Sequence, residues 1–317
     1  MRIVIIGGSG HVGTYLVPRL VRLGHEVTSV TRGRSQPYAA DPAWESVRQV
    51  RLDREAEEKE GTFGRKIRDL KPDVVIDMIC FHPDSARQIV ESLRGEVQQF
   101  LHCGTIWVHG CSAEVPTTED QRREPFGEYG VRKCAIEQYL VDEAHRHGFP
   151  ATALHPGHIV GPGYGLVGPT ACHDLAPIAR LARGEKVALP DLGMGTVHHV
   201  HADDVAQAFV QAMACWSAAV GESFYVVSRA ALTLRGYAEA VAGWFGKKAD
   251  LEFLPLREWL KTQQPEFAGS AEAHIAHSSN FSCAKAMRRL GFRPRYTSLE
   301  ACRESVAWLI ASGCITI

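Results

Sequence analysis

Hydrophobic residues cluster in short runs along the first half of the chain, with longer amphipathic stretches between them. The runs are rich in Val, Ile and Leu with little polar alternation, which is typical of parallel strands covered by helices on both faces. They span residues 3–6, 27–30, 74–77, 100–103 and 151–154. Helical stretches, each followed within two residues by a glycine, span 12–23, 85–93 and 129–147. The alternation predicts an α/β fold with a doubly wound parallel sheet, whose ligands bind at the carboxyl ends of the strands.

The pattern changes after Pro156, where glycine and proline are dense enough to exclude a regular helix or a central strand. Farther along, two more strands are predicted at 197–201 and 224–228. Helices are predicted at 175–182, 203–214, 234–245, 284–290 and 299–309. A chain of 317 residues is long enough for about two domains. We therefore predict a larger α/β domain (1–165 and 196–228) and a smaller, mainly helical domain (166–195 and 229–317).

The composition is that of a folded protein with a sizeable core. Hydrophobic residues make up 45% of the chain and charged residues 22%, which excludes a disordered or fibrous chain. The formal net charge of −1 argues against a dedicated nucleic-acid-binding protein, because such proteins need a basic face. No apolar run approaches the roughly 18 residues that span a bilayer, and the amino terminus lacks the pattern of a signal peptide. The nine cysteines form no Cys-x-x-Cys pair, which indicates reduced thiols and a cytoplasmic protein.

A glycine-rich loop connects the first predicted strand to the first predicted helix. Its small residues let the backbone turn sharply, and the free N–H groups at the start of the helix would attract a pyrophosphate. A tight turn without a ligand is the alternative interpretation. The position between a strand and a helix favours dinucleotide binding. The residues expected to contact the dinucleotide here are Gly7, Gly10, His11, Val12 and Gly13.

The residues after the second predicted strand bear on the choice of coenzyme. Sites that prefer NAD usually carry Asp or Glu there, which binds the ribose hydroxyls. This chain instead has Arg32 and Arg34, and two guanidinium groups could clamp a 2′-phosphate. We therefore expect NADP(H), with NAD(H) as the alternative if both arginines are solvated loop residues.

Tyr129 and Lys133 lie four residues apart in a predicted helix, so they share one face. A phenol with a pKa near 10 is a poor base at neutral pH, but a neighbouring ammonium and the cationic nicotinamide ring would favour the phenolate and lower that pKa. Such a tyrosine could exchange a proton with a substrate hydroxyl while hydride moves to or from a nicotinamide ring. A surface pair with no catalytic role is the alternative interpretation.

Taken together, these motifs resemble the short-chain dehydrogenase/reductase superfamily, in particular its extended branch of NAD(P)-dependent epimerases and dehydratases. The likeness covers nearly the whole chain. Besides the glycine loop and the Tyr-x-x-x-Lys pair, it includes segments 103–110, 154–163, 199–206, 221–227 and 285–294. It implies a Rossmann-like dinucleotide-binding domain and a smaller substrate-binding domain. Residues 77–81 depart from the family's pattern and are similar to an atypical subgroup near the chloroplast stem-loop-binding proteins.

The resemblance also implies roles for individual residues. Thr105 matches the position whose hydroxyl would hydrogen-bond the reacting oxygen. Asp53 matches a position that contacts the adenine, and Pro156 belongs to a segment that passes the nicotinamide. Candidate substrate contacts are His109, which stands where the family often has tyrosine, His158 and His201.

Other polar clusters receive simpler interpretations. No metal site is expected among His198, His199 and His201, because adjacent strand residues face opposite sides and no Cys or carboxylate lies at ligand spacing. His274 and His277 either lie on the surface or line a cleft. The charged run at 53–60 is predicted to be a solvated surface segment.

The sequence thus predicts an NAD(P)-dependent enzyme of the epimerase/dehydratase type. The resemblance alone implies a sugar or nucleotide-sugar substrate, and a homodimer formed through the helices at 85–93 and 129–147. An epimerase that returns the hydride to the substrate and a dehydrogenase or reductase that releases its product both stay open. A cofactor-sensing or RNA-binding protein of the same fold is the alternative from another class. Nucleic-acid and membrane partners are not expected.

Overall fold

The structure is a computed structural model that describes all 317 residues, with thirteen strands and thirteen α-helices. The strands are β1 (Arg2–Ile6), β2 (Glu26–Thr31), β3 (Arg48–Arg51), β4 (Val74–Asp77), β5 (Gln99–Cys103), β6 (Ala151–Pro156), β7 (His158–Val160), β8 (Val187–Pro190), β9 (Thr196–Val197), β10 (His199–His201), β11 (Ser223–Val226), β12 (Leu232–Thr233) and β13 (Leu251–Leu254).

The helices alternate with the strands in the first half of the chain and dominate its end. They are α1 (His11–Arg22), α2 (Arg54–Lys59), α3 (Phe63–Arg68), α4 (Pro83–Leu93), α5 (Gly127–His147), α6 (Ala176–Arg183), α7 (Ala202–Ala214), α8 (Trp216–Ala219), α9 (Leu234–Trp244), α10 (Leu256–Leu260), α11 (Pro265–His277), α12 (Ala284–Leu290) and α13 (Ser298–Ala311). None of these helices combines the length and the apolar character needed to cross a membrane.

Seven strands form the central sheet, in the order β3-β2-β1-β4-β5-β6-β11. Every neighbouring pair in it is parallel. The order reverses between β1 and β4, and in such sheets the crevice outside the carboxyl ends at the reversal is the ligand site. The predicted doubly wound parallel sheet is confirmed.

Alternate residues of the central strands pack into two separate cores, one on each face of the sheet. In β1, Ile3 and Ile5 belong to one core, whereas Val4 and Ile6 belong to the other. Helices α1, α7 and α12 contribute to the first core, and α3, α4 and α5 contribute most of the helical residues of the second. Burial on both faces explains why these strands are apolar at nearly every position.

A third core lies among elements that follow residue 160. It contains Leu181 of α6, Leu189 of β8, Val241 of α9 and Val306 of α13. Strands β8 and β13 pair in parallel beside these helices. The sequence pattern did not indicate either of these two strands, so this part of the chain is less purely helical than predicted.

The strand predicted at 197–201 is divided in the structure. β9 pairs antiparallel with β12, whereas β10 pairs parallel with β7. His198 lies between them: its carbonyl oxygen accepts the His158 N–H at 2.8 Å, and its Nδ1 accepts the Phe281 N–H at 3.0 Å. These contacts come from two distant segments and turn the chain from one small sheet to the next.

Candidate active site

The glycine-rich loop joins β1 to α1 at the carboxyl edge of the sheet. Gly7 has a φ of +87°, a conformation that glycine adopts without strain. Gly13 packs against the loop so closely that a Cβ there would be 1.9 Å from the Gly8 carbonyl oxygen. Gly10 immediately precedes α1, and no acidic side chain lies in the first turn of that helix. The start of α1 therefore offers unpaired N–H groups to an anion.

A cavity of about 290 Å³ opens beside this loop, at the carboxyl ends of β1 and β2. Five residues that the sequence predicted to bind the coenzyme line it: Gly7, Gly10, Arg32, Arg34 and Asp53. The Asp53 carboxylate also caps α2, because its Oδ1 accepts the Glu55 N–H at 3.1 Å. The fold thus gathers the predicted coenzyme contacts of three separate segments around one cavity.

Arg54 borders the same cavity and is only 7% exposed. Its Nη1 donates to both carboxylate oxygens of Asp77 at 2.8 and 2.9 Å, and its Nε donates to Glu58 at 2.6 Å. Burial alone would lower the pKa of Arg54, but Asp77 and Glu58 raise it above its usual value. The prediction that 53–60 is a solvated surface segment is wrong for Arg54 and Glu58, because this ion pair holds them against the sheet edge.

These features fit the adenosine end of a dinucleotide coenzyme. Arg54 Nη2 is buried beside the cavity without a hydrogen-bond partner, so it is a donor available to a ligand. Among the other predicted contacts, the Val12 side chain packs in the core and Pro156 ends β6. The His11 ring stacks on Tyr164 with centroids 5.4 Å apart. Only the backbone of His11 therefore contributes to the start of α1.

Tyr129 lies in the first turn of α5, and Thr105 follows β5 directly. Although 42% of Tyr129 is exposed, burial of its hydroxyl end raises the pKa of the phenol to about 12. The Thr105 side chain offsets part of this increase. Desolvation of the phenolate outweighs that contribution, and Lys133 is not among the groups that lower the pKa of the phenol. The lowering expected from the nicotinamide ring stays a prediction.

The Lys133 side chain explains why its ammonium does not acidify the phenol. The residue is 2% exposed, its Nζ donates to the Cys103 carbonyl oxygen at 2.9 Å, and it lies 4.8 Å from the centre of the Phe81 ring. Burial lowers the pKa of this ammonium. Lys133 thus binds the main chain at the end of β5, and Thr105 is the residue whose side chain lowers the pKa of the Tyr129 phenol.

A buried series of polar contacts holds Thr105 in place. The Thr105 N–H donates to His155 Nδ1 at 3.1 Å, and His155 Nε2 lies 3.1 Å from Glu137, which also pairs with Arg123. Burial raises the pKa of Glu137, but His155 and Arg123 outweigh it and bring the pKa to about 2. A Cβ at Gly104 would be 2.1 Å from His155 Nδ1, so glycine is required there. Sequence reasoning missed Glu137, although its spacing of four from Lys133 places it on the same face of α5.

Two of the histidines predicted to contact substrate have structural partners instead. His109 is 1% exposed, with its Nδ1 3.4 Å from the Tyr225 hydroxyl. His201 caps α7, because its Nδ1 accepts the Asp203 N–H at 3.0 Å, and its Nε2 lies 3.1 Å from Glu304. Both nitrogens of His201 and Nδ1 of His109 thus have partners within the protein, and the substrate contacts of these two histidines stay predictions.

Helix α11 brings two further imidazoles beside Tyr129. His277 is stacked between Trp107 and Phe126, with ring centroids 4.1 and 3.9 Å away. The Trp107 ring meets Tyr129 at 5.9 Å and His274 at 5.0 Å. Both histidines are buried, so neither lies on the surface, and a role in lining a cleft stays a prediction. No helical periodicity near 270 indicated that this segment would reach the site.

The sheet order and the glycine-rich loop define a Rossmann-type dinucleotide-binding protein. The family model described as the NAD dependent epimerase/dehydratase family matches residues 3–227, and the chain belongs to this family.

Curated relatives include a reductase and several epimerases. The chain is 30% identical over 264 residues to 2′-dehydrokanamycin reductase of Streptomyces kanamyceticus, covering 83% of this chain and 72% of that protein. It is 25% identical over 335 residues to UDP-glucose 4-epimerase of Corynebacterium glutamicum, covering 99% and 96%. It is 26% identical over 314 residues to chloroplast stem-loop binding protein of 41 kDa b of Arabidopsis thaliana, covering 96% and 78%.

Solved structures share the fold along almost the entire chain. UDP-glucose 4-epimerase of Thermotoga maritima, solved with UDP-glucose, has a TM-score of 0.76 at 20% identity and covers 98% of this chain and 99% of its own. The Thermus thermophilus UDP-glucose 4-epimerase in complex with NAD has a TM-score of 0.74 at 21% identity, covering 98% and 100%. The protein is therefore an NAD(P)-dependent enzyme of the epimerase/dehydratase and short-chain dehydrogenase/reductase type.

Proposed function

We propose that the protein transfers hydride between a nicotinamide coenzyme and a hydroxyl or carbonyl group of a sugar or nucleotide-sugar, with Tyr129 as the acid/base. The observation that supports this most strongly is that Thr105 and Tyr129 both contact Trp107 after β5: Thr105 Oγ1 accepts the Trp107 N–H at 3.3 Å, and the Trp107 ring centre lies 5.9 Å from that of Tyr129. The coenzyme cavity opens on the same carboxyl edge of the sheet. In sheets of this order, a dinucleotide binds across that edge at the reversal of strand order.

Each residue of the site has a defined task in the proposed reaction. Tyr129 takes the proton from the substrate hydroxyl during oxidation and returns it to the oxygen during reduction. Thr105 hydrogen-bonds the same oxygen and keeps it at the phenol. Lys133, whose Nζ donates to the Cys103 carbonyl oxygen, fixes the end of β5 that carries Thr105. The bound coenzyme supplies or accepts the hydride.

The relatives' names indicate two different classes of substrate for this proposal. UDP-glucose 4-epimerases act on a nucleotide-sugar, whereas 2′-dehydrokanamycin reductase acts on an aminoglycoside derivative. We propose that the substrate binds between the larger domain (1–165 and 196–228) and the smaller one (166–195 and 229–317). We also propose a cytoplasmic homodimer that forms through α4 and α5.

Turnover with a small substrate panel tests the proposed activity. Purified protein is incubated with NADPH, NADP, NADH or NAD and with UDP-glucose, kanamycin or its 2′-dehydro derivative. The absorbance of the reduced nicotinamide reports net oxidation or reduction, and separation of sugar epimers reports a reaction in which hydride returns to the substrate. Nicotinamide-dependent conversion supports the proposal. Tight coenzyme binding without conversion of any sugar or aminoglycoside would contradict it.

We expect the Arg32→Asp variant to bind NADPH about tenfold more weakly, because it loses a charge-assisted hydrogen bond to the 2′-phosphate and places a negative charge beside it. NADH lacks this phosphate, so its affinity should change much less. Fluorescence titration with both coenzymes measures the two dissociation constants. Arg48→Asp makes the same charge change at an exposed position of β3 outside the cavity and should leave both constants unchanged. Equal weakening of both coenzymes in Arg32→Asp would exclude the phosphate clamp.

A further inference from the structure

Helix α11 is held against the rest of the protein by an unusual set of buried side chains. Of its 13 residues, only Ala271, His274 and His277 are buried, and their spacing of three places them on one stripe of the helix. A helix that packs on a core normally presents apolar side chains on such a stripe. Here two of the three buried side chains are imidazoles, which take up a proton near neutral pH. The attachment of α11 therefore depends on titratable groups.

The two imidazoles pack on aromatic rings that flank Tyr129. The His277 ring is stacked between Trp107 and Phe126, and the His274 ring meets Trp107 at 5.0 Å. Trp107 in turn meets Tyr129 at 5.9 Å, and Phe126 directly precedes α5, the helix that carries Tyr129. Withdrawal of α11 would therefore uncover one face of Trp107 beside the phenol.

Both ends of α11 and its small apolar contact favour movement of the helix as a unit. Five of the six residues at 261–266, where the chain enters the helix, are exposed. Ser278, where the chain leaves it, has a φ of +40° and ends the helix. The apolar cluster that contains Ala271 has three buried members, whereas the largest core of the protein has 32. Elements with few buried apolar contacts open at the lowest free energy.

The closed position of α11 carries a cost at its own contact surface. His277 Nδ1 lies 2.8 Å from the Ala273 carbonyl oxygen, which only accepts, so this nitrogen carries the proton. His277 Nε2 is therefore an acceptor, and it is buried without a hydrogen-bond partner. Such an atom is costly when buried, whereas water bonds it once the helix is released. The closed and released positions are thus closer in free energy than an apolar contact of the same size would make them.

No carboxylate contributes to the pKa of either imidazole. The groups of other elements that face α11 are the neutral side chains of Trp107, Phe126 and Tyr129, the imidazoles of His158, His173 and His199, and the Cys111 thiol. On α11 itself, Glu266 and Glu272 are exposed and lie off the buried stripe. A proton on His274 or His277 would therefore add a buried charge without gaining an ion pair.

The direction of the pH dependence follows from this burial. Burial lowers the pKa of His274 to about 4, and it lowers the pKa of His277 as well. In water the pKa of an imidazole is about 6.5. The contact is therefore fully formed above pH 6.5 and weakens as the pH falls toward 4, because the released helix takes up the protons first. For His274 alone, the ratio of released to closed helix should rise by about 30-fold between pH 8 and pH 5.

We propose that α11 is a lid over the Tyr129 site, held on Trp107 and Phe126 by the neutral rings of His274 and His277, and that protonation of these rings releases it. The inference rests on the proposed function, because it takes Tyr129 as the acid/base of the site. Access to the phenol is then greater in mildly acidic solution than at pH 8.

Hydrogen–deuterium exchange of the full chain, with and without saturating NADP, tests the release between pH 8 and pH 5. After correction for intrinsic exchange rates, the opening constant of the α11 amides should rise by about 30-fold. The amides of α4, whose buried side chains do not titrate, provide the internal reference and should change by less than about threefold. Acrylamide quenching of Trp107 emission should rise in parallel with α11 opening. The Trp107→Phe variant gives the emission of the other tryptophans, which is subtracted.

The double variant His274→Phe/His277→Phe separates protonation from packing. Phe can stack between Trp107 and Phe126 as His277 does, but it takes up no proton. The opening constant of α11 in this variant should therefore vary by less than about twofold with pH. His147→Phe is the matched control, because it makes the same substitution at an exposed position near the end of α5. It should keep the pH dependence of the wild type.

Two results would overturn the inference. One is an opening constant of α11 that changes by less than about threefold between pH 8 and pH 5 in the wild type, which tests the inference even where the double variant fails to fold. The other is a pH dependence that persists in the double variant. Neither measurement uses a substrate. If either result is found while Tyr129→Phe loses turnover, the proposed function stands and only the inference fails. If turnover does not require Tyr129, the proposed function fails whatever α11 does.

Discussion

Tyr129→Phe is expected to lower turnover by roughly 10²–10⁴-fold, the usual contribution of a positioned acid/base. The variant removes only the phenolic oxygen, and the ring keeps its edge contact with Trp107. The coenzyme cavity is lined by other residues, so the dissociation constant of the coenzyme should stay within about twofold of the wild-type value. A twofold change corresponds to less than half of the net free energy of one hydrogen bond. Steady-state kinetics and coenzyme titration measure the two quantities.

Tyr139→Phe provides the control for this substitution. Tyr139 lies on the same helix, where its ring packs against the core on the other face of the sheet and under Arg87. Loss of its hydroxyl should leave turnover unchanged. Wild-type turnover in Tyr129→Phe would show that Tyr129 is not the acid/base.

Gly13→Ala is expected to have the largest effect on stability among substitutions in the loop. The added Cβ would be 1.9 Å from the Gly8 carbonyl oxygen, which belongs to the backbone and cannot turn aside as a side chain could, so α1 must move away from β1. Overpacking of this kind costs about 3 kcal/mol or more of unfolding free energy. Coenzyme binding should be lost with it, because the start of α1 leaves its place. Denaturant unfolding monitored by circular dichroism, together with coenzyme titration, measures both effects.

Gly10→Ala separates the loss of stability from the loss of coenzyme binding. Gly10 has a φ of −77°, which any residue adopts, and its Cβ would meet only the Gly7 carbonyl oxygen at 3.3 Å. The methyl group would occupy the space that faces the cavity. This variant should fold with nearly wild-type stability but bind the coenzyme at least tenfold more weakly, the equivalent of about 1.4 kcal/mol. Stable folding of Gly13→Ala with intact coenzyme binding would contradict the packing described for the loop.

The sequence was most informative where local pattern and global fold agree. The apolar runs predicted the central strands because residues such as Val4 and Ile5 are buried on opposite faces of one sheet. Glycines after helices, such as Gly148 at the end of α5, predicted helix ends because the left-handed conformation occurs there (φ +69°). The segments that line the cavity beside the glycine-rich loop were singled out for the same reason, since each lies where a parallel strand ends.

Prediction failed where a residue's environment depends on distant segments. Arg54 belongs to a charged run, and only the neighbouring end of β4 reveals that Asp77 holds it in a buried ion pair. His277 reaches Trp107 through packing of α11, which no spacing in the sequence encodes. Lys133 is not among the groups that shift the pKa of Tyr129, and its bond to the Cys103 carbonyl is invisible in a helical spacing argument. In each case a contact with a residue distant in the sequence determines the environment of the side chain.

The central claim is that the Tyr129 phenol faces a bound nicotinamide ring. A pH titration of the protein labelled with carbon-13 at the tyrosine hydroxyl carbon tests it most directly, with the Tyr129 signal assigned by its loss in Tyr129→Phe. The pKa of about 12 found for the protein alone should fall by about 1–3 units when the oxidised coenzyme binds, because its ring places a positive charge beside the phenolate. An unchanged Tyr129 titration with saturating oxidised coenzyme would contradict the account.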